Sequence, residues 1–273
     1  MEEIILLALA ILPVFLLAFF IYKKDKFEKE PLKMLLKAFL FGCLSVIPAI
    51  FLETVLSSLY SNTLGYFMPG FVEGAYTGFI VAGGSEELCK LIMLILVVRK
   101  SADFNEYFDG VVYACFVSLG FAGVENVLYV FRQDTFFEAI NTGTMRALLA
   151  VPGHFLFAVA MGYYFALAKF EERQRHNNYL KAFLIPMLLH GTYDTLLMIP
   201  EQYGDAQIWL SAVLFPLFIY FDIRMWKGGL RKLKKLQAMS EAQQNEQVYE
   251  NVDDSQNGDV GNGDNFSGFN WNV

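Results

Sequence analysis

The chain has 273 residues, of which 55% are hydrophobic, 16% aromatic and only 18% charged, with a formal net charge of −7. About a quarter of an ordinary soluble chain is charged, and here the charges sit between long apolar runs, so the composition excludes a soluble globular enzyme and indicates an integral membrane protein. Much of the acid excess follows Ser240, so the net charge says little about the apolar part. Cys43, Cys89 and Cys115 fall inside apolar stretches, where a lone thiol behaves as a small hydrophobe, and they imply neither a disulfide framework nor a Cys-based zinc site.

A hydrocarbon core about 30 Å thick needs roughly 20 apolar residues per helix. In chain order the candidate spans cover residues 4–22, 34–56, 71–98, 109–131, 145–168, 179–199 and 207–226. The expectation is therefore an all-α, polytopic transmembrane helical bundle of about seven spans. The first run is expected to be a retained span and not a signal peptide, because acidic Glu2 and Glu3 precede it and basic Lys23 and Lys24 follow. The third is overlong and contains Gly83-Gly84-Ser85, which predicts a kink or break there.

Lys and Arg collect after the first, third, fifth and seventh spans, whereas residues 57–70 carry no charge and 201–207 no Lys or Arg. The positive-inside rule then puts the N-terminus outside and the C-terminus in the cytoplasm. Arg132 and Arg146, near the ends of the fourth loop, are the exception. After Leu236 the sequence turns to Gln, Asn, Asp, Gly and Ser, with Asn-Gly-Asp at 257–259 and 262–264. Such a segment buries too little apolar surface to offset its ordering entropy, so the expected division is a transmembrane domain over 1–236 and a disordered tail over 237–273. Those Asn and Asp residues do not complete an EF-hand spacing.

Ionisable groups inside spans are expensive and face the bundle interior, so each is a candidate site residue. They are Glu86, Glu87 and Lys90 in the third span, Glu125 in the fourth, His154 in the fifth, and His190 with Asp194 in the sixth. At ~1.5 Å of rise per residue, Glu86 lies roughly 15–22 Å and His154 roughly 13 Å from the outer end, while His190 lies roughly 16 Å and Glu125 and Asp194 roughly 22–24 Å from the inner end. These depths converge on a layer between the midplane and the outer face. Glu86 and Lys90 are i,i+4, as are His190 and Asp194, so each pair shares a helix face. Glu87 points about 100° from Glu86, so at most one of them aims squarely at a common centre.

This chemistry suits a base that activates water, with Asp194 accepting a ring N–H of His190 to fix its tautomer. Purely structural readings exist for each element. Glu86–Lys90 could be an intrahelical ion pair, His154 a packing residue beside Pro152-Gly153, His190–Asp194 a helix latch and Glu125–Asn126 interhelical glue. Convergence of four consecutive helices on one level favours a site. Gly74-xxx-Gly78 reads as a packing face, and His176, in a charged loop, as solvated.

Six ordered blocks resemble the PrsW family of bacterial intramembrane peptidases. They are residues 22–34 (YKKDKFEKEPLKM), 86–90 (EELCK), 107–113 (YFDGVVY), 117–126 (VSLGFAGVEN), 146–154 (RALLAVPGH) and 189–194 (LHGTYD). The resemblance implies a fold related to the CAAX-type membrane endopeptidases and a site-1 protease of the bacterial inner membrane. Its partners would be the lipid bilayer and a single-span substrate such as an anti-sigma factor, with no nucleic acid.

Carried over by position, the catalytic residues are Glu86, Glu87, Glu125, His154, His190 and Asp194. The family is classed as a metallopeptidase. His154, His190 and Glu125 would hold a metal such as Zn2+, since two His and a carboxylate leave an open position for water. A Glu/His water-activating site without metal remains the alternative chemistry. From another class, a proton- or ion-coupled transporter would also place Glu, His and Lys in a bundle, but the sequence contains no inverted repeat that favours it.

Overall fold

The computed structural model describes residues 1–63, 65, 67, 70–199, 203 and 207–257, with side chains described through residue 249. In hydrocarbon each apolar run must satisfy its own backbone, and the simplest way is a helix. The described residues contain no strand. Helix α1 spans Glu2–Lys24 and α2 Leu32–Asn62. A third rod begins with α3, Phe71–Tyr76, widens into a π-helix over Thr77–Gly84 and returns to α-helix in α4, Ser85–Val98. Helix α5 is Asp109–Phe131. Helix α6, Phe136–Met145, starts on a capping box at Thr135 and Glu138 and passes through a second π segment, Arg146–Ala150, into α7, Val151–Phe170. Helix α8 covers Arg175–Met198 and α9 Gln207–Asn257.

Among the described residues, five stretches are long and apolar enough to cross a membrane: Glu2–Lys24, Leu32–Asn62, Asp109–Phe131, Phe136–Phe170 and Gln207–Tyr249. The rods over 71–98 and 175–198 are less apolar, because they carry Glu73, Glu86, Glu87, Lys90, Lys181 and Asp194. The chain is all-α and a membrane protein, and its rods follow the expected order.

Helices α5 and α7 form the centre. Residues 153–163 of α7 are buried throughout, and α5 is nearly as enclosed. Helices α1 and α2 lie against α5, and α8 and α9 against α7. Phe15, Leu16 and Phe19 of α1 and Leu44, Ile47 and Phe51 of α2 face outward, as lipid-exposed positions do.

Two features differ from the sequence expectation. The break expected at Gly83-Gly84-Ser85 is a π-helix, which keeps the backbone hydrogen-bonded while shifting the side chains that follow it. The boundary expected at residue 237 falls inside α9, which continues to Asn257. Residues 231–256 contain neither Gly nor Pro and are rich in Lys, Leu, Gln, Ala and Glu, all good helix formers. Leu233, Leu236 and Ser240 are buried. Residues 258–273, with most of the repeated Asn-Gly-Asp, lie outside the described residues.

Candidate active site

Both π segments end just before site residues: Thr77–Gly84 hands over to Ser85, Glu86 and Glu87, and Arg146–Ala150 to His154. Glycine then lets α8 approach the third rod. A Cβ on Gly191 would lie 2.3 Å from Phe79 Cδ1, and one on Gly83 would lie 2.9 Å from the Met187 carbonyl and 3.0 Å from Gly191 N. This backbone approach lets His190 Nδ1 reach within 2.9 Å of Glu87 Oε1 across two rods.

Lys90 stands at the middle of the group. Its ammonium has three N–H donors. They go to Glu86 Oε2 at 2.9 Å, Glu87 Oε1 at 2.8 Å and His154 Nδ1 at 3.0 Å. The same nitrogen lies 4.2 Å from the centre of the Phe121 ring, and the side chain is fully buried. Because His154 Nδ1 accepts from Lys90, its proton sits on Nε2, which donates to Glu125 Oε2 at 2.8 Å. Glu125 is held in turn by Arg146, with Nη2 2.8 Å from the same oxygen. Arg146 Nε donates to Asn126 Oδ1 at 2.7 Å, and the guanidinium lies 4.1 Å from the Tyr129 ring centre. Asn126 ties this chain to α1 by donating to the Ala10 carbonyl at 3.1 Å.

His190 faces carboxylates on both sides, Glu87 through Nδ1 and Asp194 Oδ2 through Nε2 at 3.2 Å. Its ring stacks on Phe157 with centroids 4.6 Å apart and meets the His154 ring edge-on at 5.3 Å. A cavity of about 390 Å³ opens beside the group, bordered by Glu86, Glu125, His154, His190 and Asp194. Glu87 does not border it and is fully buried. The 100° offset between the two glutamates thus puts Glu86 on the cavity and Glu87 behind it.

All six residues expected from the sequence gather here, with Lys90 among them. Glu125, expected as a third metal donor, takes a different place: it stands behind His154 and against Arg146. The donor atoms that converge belong to Glu86, Glu87, His154 and His190, all within 4.8 Å of one another. Two further residues had no assigned role. Arg146 entered the sequence reading as a topology exception and as the first residue of a matching block, without a role at the site, yet it anchors Glu125. Glu53 of α2 borders the cavity, and the signal that marks it is the one used elsewhere, an acid inside an apolar run. His176 is exposed, as expected.

A family model for the PrsW family intramembrane metalloprotease matches residues 30–221. The chain belongs to the PrsW family. Curated relatives called protease PrsW include those of Clostridioides difficile, 38% identical over 84% of this chain and 90% of the relative, and of Geobacillus kaustophilus, 37% over 84% and 91%. The Bacillus subtilis protein of that name is 31% identical over 86% and 97%. No solved structure matches. As a member of the PrsW family the chain is an intramembrane peptidase, and the transporter reading finds no support.

The donor set suits the metal that the family description implies. Two imidazoles and two carboxylates are ligands that zinc takes, and Glu87 Oε2 is buried without a partner. The Nδ1 atoms of both rings face Glu86 Oε2, at 3.9 and 4.0 Å. The ammonium of Lys90 shares three of these four partners.

Proposed function

We propose that this protein hydrolyses a peptide bond in a single-span membrane protein, such as an anti-sigma factor, with Glu86 as the base that activates water. The observation that carries the reading is the position of Glu86: of the glutamate pair it alone borders the cavity, and it lies on the same donor group as both histidines. Water entering the cavity meets the Glu86 carboxylate, which takes its proton as the oxygen attacks the scissile carbonyl. Lys90 holds the carboxylate in place. The oxyanion forms on the side of the group where Lys90 and the two imidazoles lie, which is its cationic and N–H-bearing side. Glu125 and Asp194 orient the two rings, and Arg146 orients Glu125. Glu86 then returns the proton to the leaving amine. A divalent ion, zinc by ligand type, would be held by Glu86, Glu87, His154 and His190, and would supply Lewis-acid polarisation of the carbonyl and a lowered water pKa.

The Lys and Arg bias supports an orientation in the bacterial inner membrane with residues 25–31 and 99–108 in the cytoplasm and the cavity in the outer half. Membrane proteomes of cells carrying wild type or Glu86→Gln test the reading. A single-span protein that is shortened only with wild type supports it, and identical fragment sets contradict it.

A further inference from the structure

At the opposite end from the cavity, four carboxylates meet where three segments and the extension of α9 pack together. Asp25 and Glu30 come from the α1–α2 loop, Glu106 from the α4–α5 loop and Asp109 from the start of α5, and each is at most 4% exposed. Both oxygens of Asp25, both of Glu106 and Oδ1 of Asp109 are buried without a hydrogen-bond partner. The partners that do exist are neutral donors and the carboxyls themselves, since Glu30 and Asp109 lie within hydrogen-bond reach of each other. Asn105 and Glu106 N–H donate to Asp109 Oδ2 at 2.8 and 2.7 Å, and the Tyr113 hydroxyl donates to Glu30. The cations nearby are spent elsewhere: Lys29 donates to the Tyr22 and Asp25 carbonyls and Lys169 to the Phe104 carbonyl. Among the described residues no ion pair reaches any of the four carboxylates.

The α9 extension seals this cluster. Ser240, fully buried, accepts the Phe108 N–H at 3.0 Å, Gln243 donates to the Asn105 carbonyl at 2.9 Å and Gln237 donates to the Lys24 carbonyl. Every one of these contacts lands on a residue within three positions of Asp25, Glu106 or Asp109. Four ionised carboxylates packed together without counter-charge repel one another and lose hydration.

We propose that Asp25, Glu30, Glu106 and Asp109 form a proton-binding clasp that holds the α9 extension on the two loops while protonated and releases it when ionised. Burial raises Asp25 to about 6 and Glu30 and Glu106 to about 7, with neighbouring acids adding to it, Asp25 and Asp103 for Glu30 and Asp109 and Asp25 for Glu106. Lys29 and Glu28 also face Asp25, Tyr113 faces Glu30, and Lys169 of α7 lies within reach of Asp109 and Glu30. A carboxyl whose pKa is raised in the docked state stabilises docking fully below its undocked value, and that contribution is lost as pH rises through the docked value. The window therefore runs from the ordinary carboxylate values near 4 up to about 7. Nothing in the clasp depends on the peptidase mechanism, so its test is independent of that reading.

The test is hydrogen exchange of the full chain in detergent micelles at about pH 5.5 and about pH 8, corrected for the intrinsic exchange rate. Protection over residues 238–249 is expected to fall at least about 10-fold at the higher pH, the change carried by one pKa unit on one titrating group. Residues 155–165 of α7 should not change. The isosteric pair Asp25→Asn with Glu106→Gln should keep its protection at the higher pH, and Glu30→Gln alone serves if the pair does not insert. Protection independent of pH in wild type, or an equal loss in the neutral variants, overturns the clasp. So does full recovery at the higher pH on adding magnesium or calcium chloride, which would make the cluster a cation site.

Discussion

Lys90 Nζ and His154 Nδ1 lie 3.0 Å apart, on helices 64 residues apart in sequence, with the same nitrogen bonded to Glu86 and Glu87. A divalent ion at Glu86, Glu87, His154 and His190 would thus compete with the ammonium for three of its four partners. Lys90→Met removes the competitor and keeps the apolar stem. We expect this variant, equilibrated with a fixed free zinc concentration, to bind zinc at least about 10-fold tighter than wild type, the effect of about 1.4 kcal/mol. Metal content by mass spectrometry is the readout, and equal occupancy in both proteins contradicts the competition.

The two glutamates should separate by phenotype. Glu87 is fully enclosed and binds both Lys90 and His190, so Glu87→Gln weakens a buried charge network and should lower thermal stability in detergent by roughly 1–3 kcal/mol. Glu86 also pairs with Lys90 but borders the cavity, so Glu86→Gln should destabilise less than Glu87→Gln while removing activity. A Glu87→Gln protein with wild-type stability and a Glu86→Gln protein that unfolds would reverse the assignment.

Arg146 is placed as a positioning residue acting through Glu125 and His154. Arg146→Lys keeps the charge but loses the fork that grips Glu125 and Asn126 together. It should lower kcat roughly 10-fold with little change in KM, in the range seen when groups behind a catalytic histidine are removed. Arg146→Met should fall further. If KM moved and kcat did not, Arg146 would be a substrate contact instead.

Gly191→Ala sets two effects against each other. Alanine gains about 1 kcal/mol in helix propensity, but its Cβ would overlap Phe79, 2.3 Å away, and overpacking costs typically 1–3 kcal/mol. The net outcome should be a less stable protein in a detergent melt and a longer Glu87–His190 separation. A more stable variant would show that the two rods are not held this close.

The gathering of the site residues was legible in the sequence because an ionisable residue in hydrocarbon is costly enough to be informative alone. Depth counting brought Glu86, Glu125, His154, His190 and Asp194 together without any contact information. The partition of Glu86 from Glu87 was half legible: the 100° offset said that one must turn away, but which one depends on the π-helix at Thr77–Gly84, and no local propensity announces a π-helix. Arg146 was misweighed because the positive-inside rule counts charges near helix ends without asking whether they point back into the bundle. The α9 extension was missed for a related reason. Its composition is polar enough for a disordered tail, and what holds it is burial of Leu233 and Leu236 in the core and bonds from Gln237, Ser240 and Gln243 to two loops distant in sequence.

The orientation rests on loop charge, and accessibility labelling of single cysteines checks it. A cysteine at Ser61 should react from outside intact cells and one at Lys100 only after permeabilisation, and the opposite pattern would turn the protein over.

The most direct measurement is the cleavage rate of a single-span membrane substrate by purified protein in proteoliposomes, wild type against Glu86→Gln. The glutamine keeps size and hydrogen bonding but cannot take a proton from water. A loss of at least about 10²-fold in kcat, the lower range of general-base contributions, is expected with the variant folded and inserted. Cleavage by Glu86→Gln at the wild-type rate would contradict Glu86 as the base.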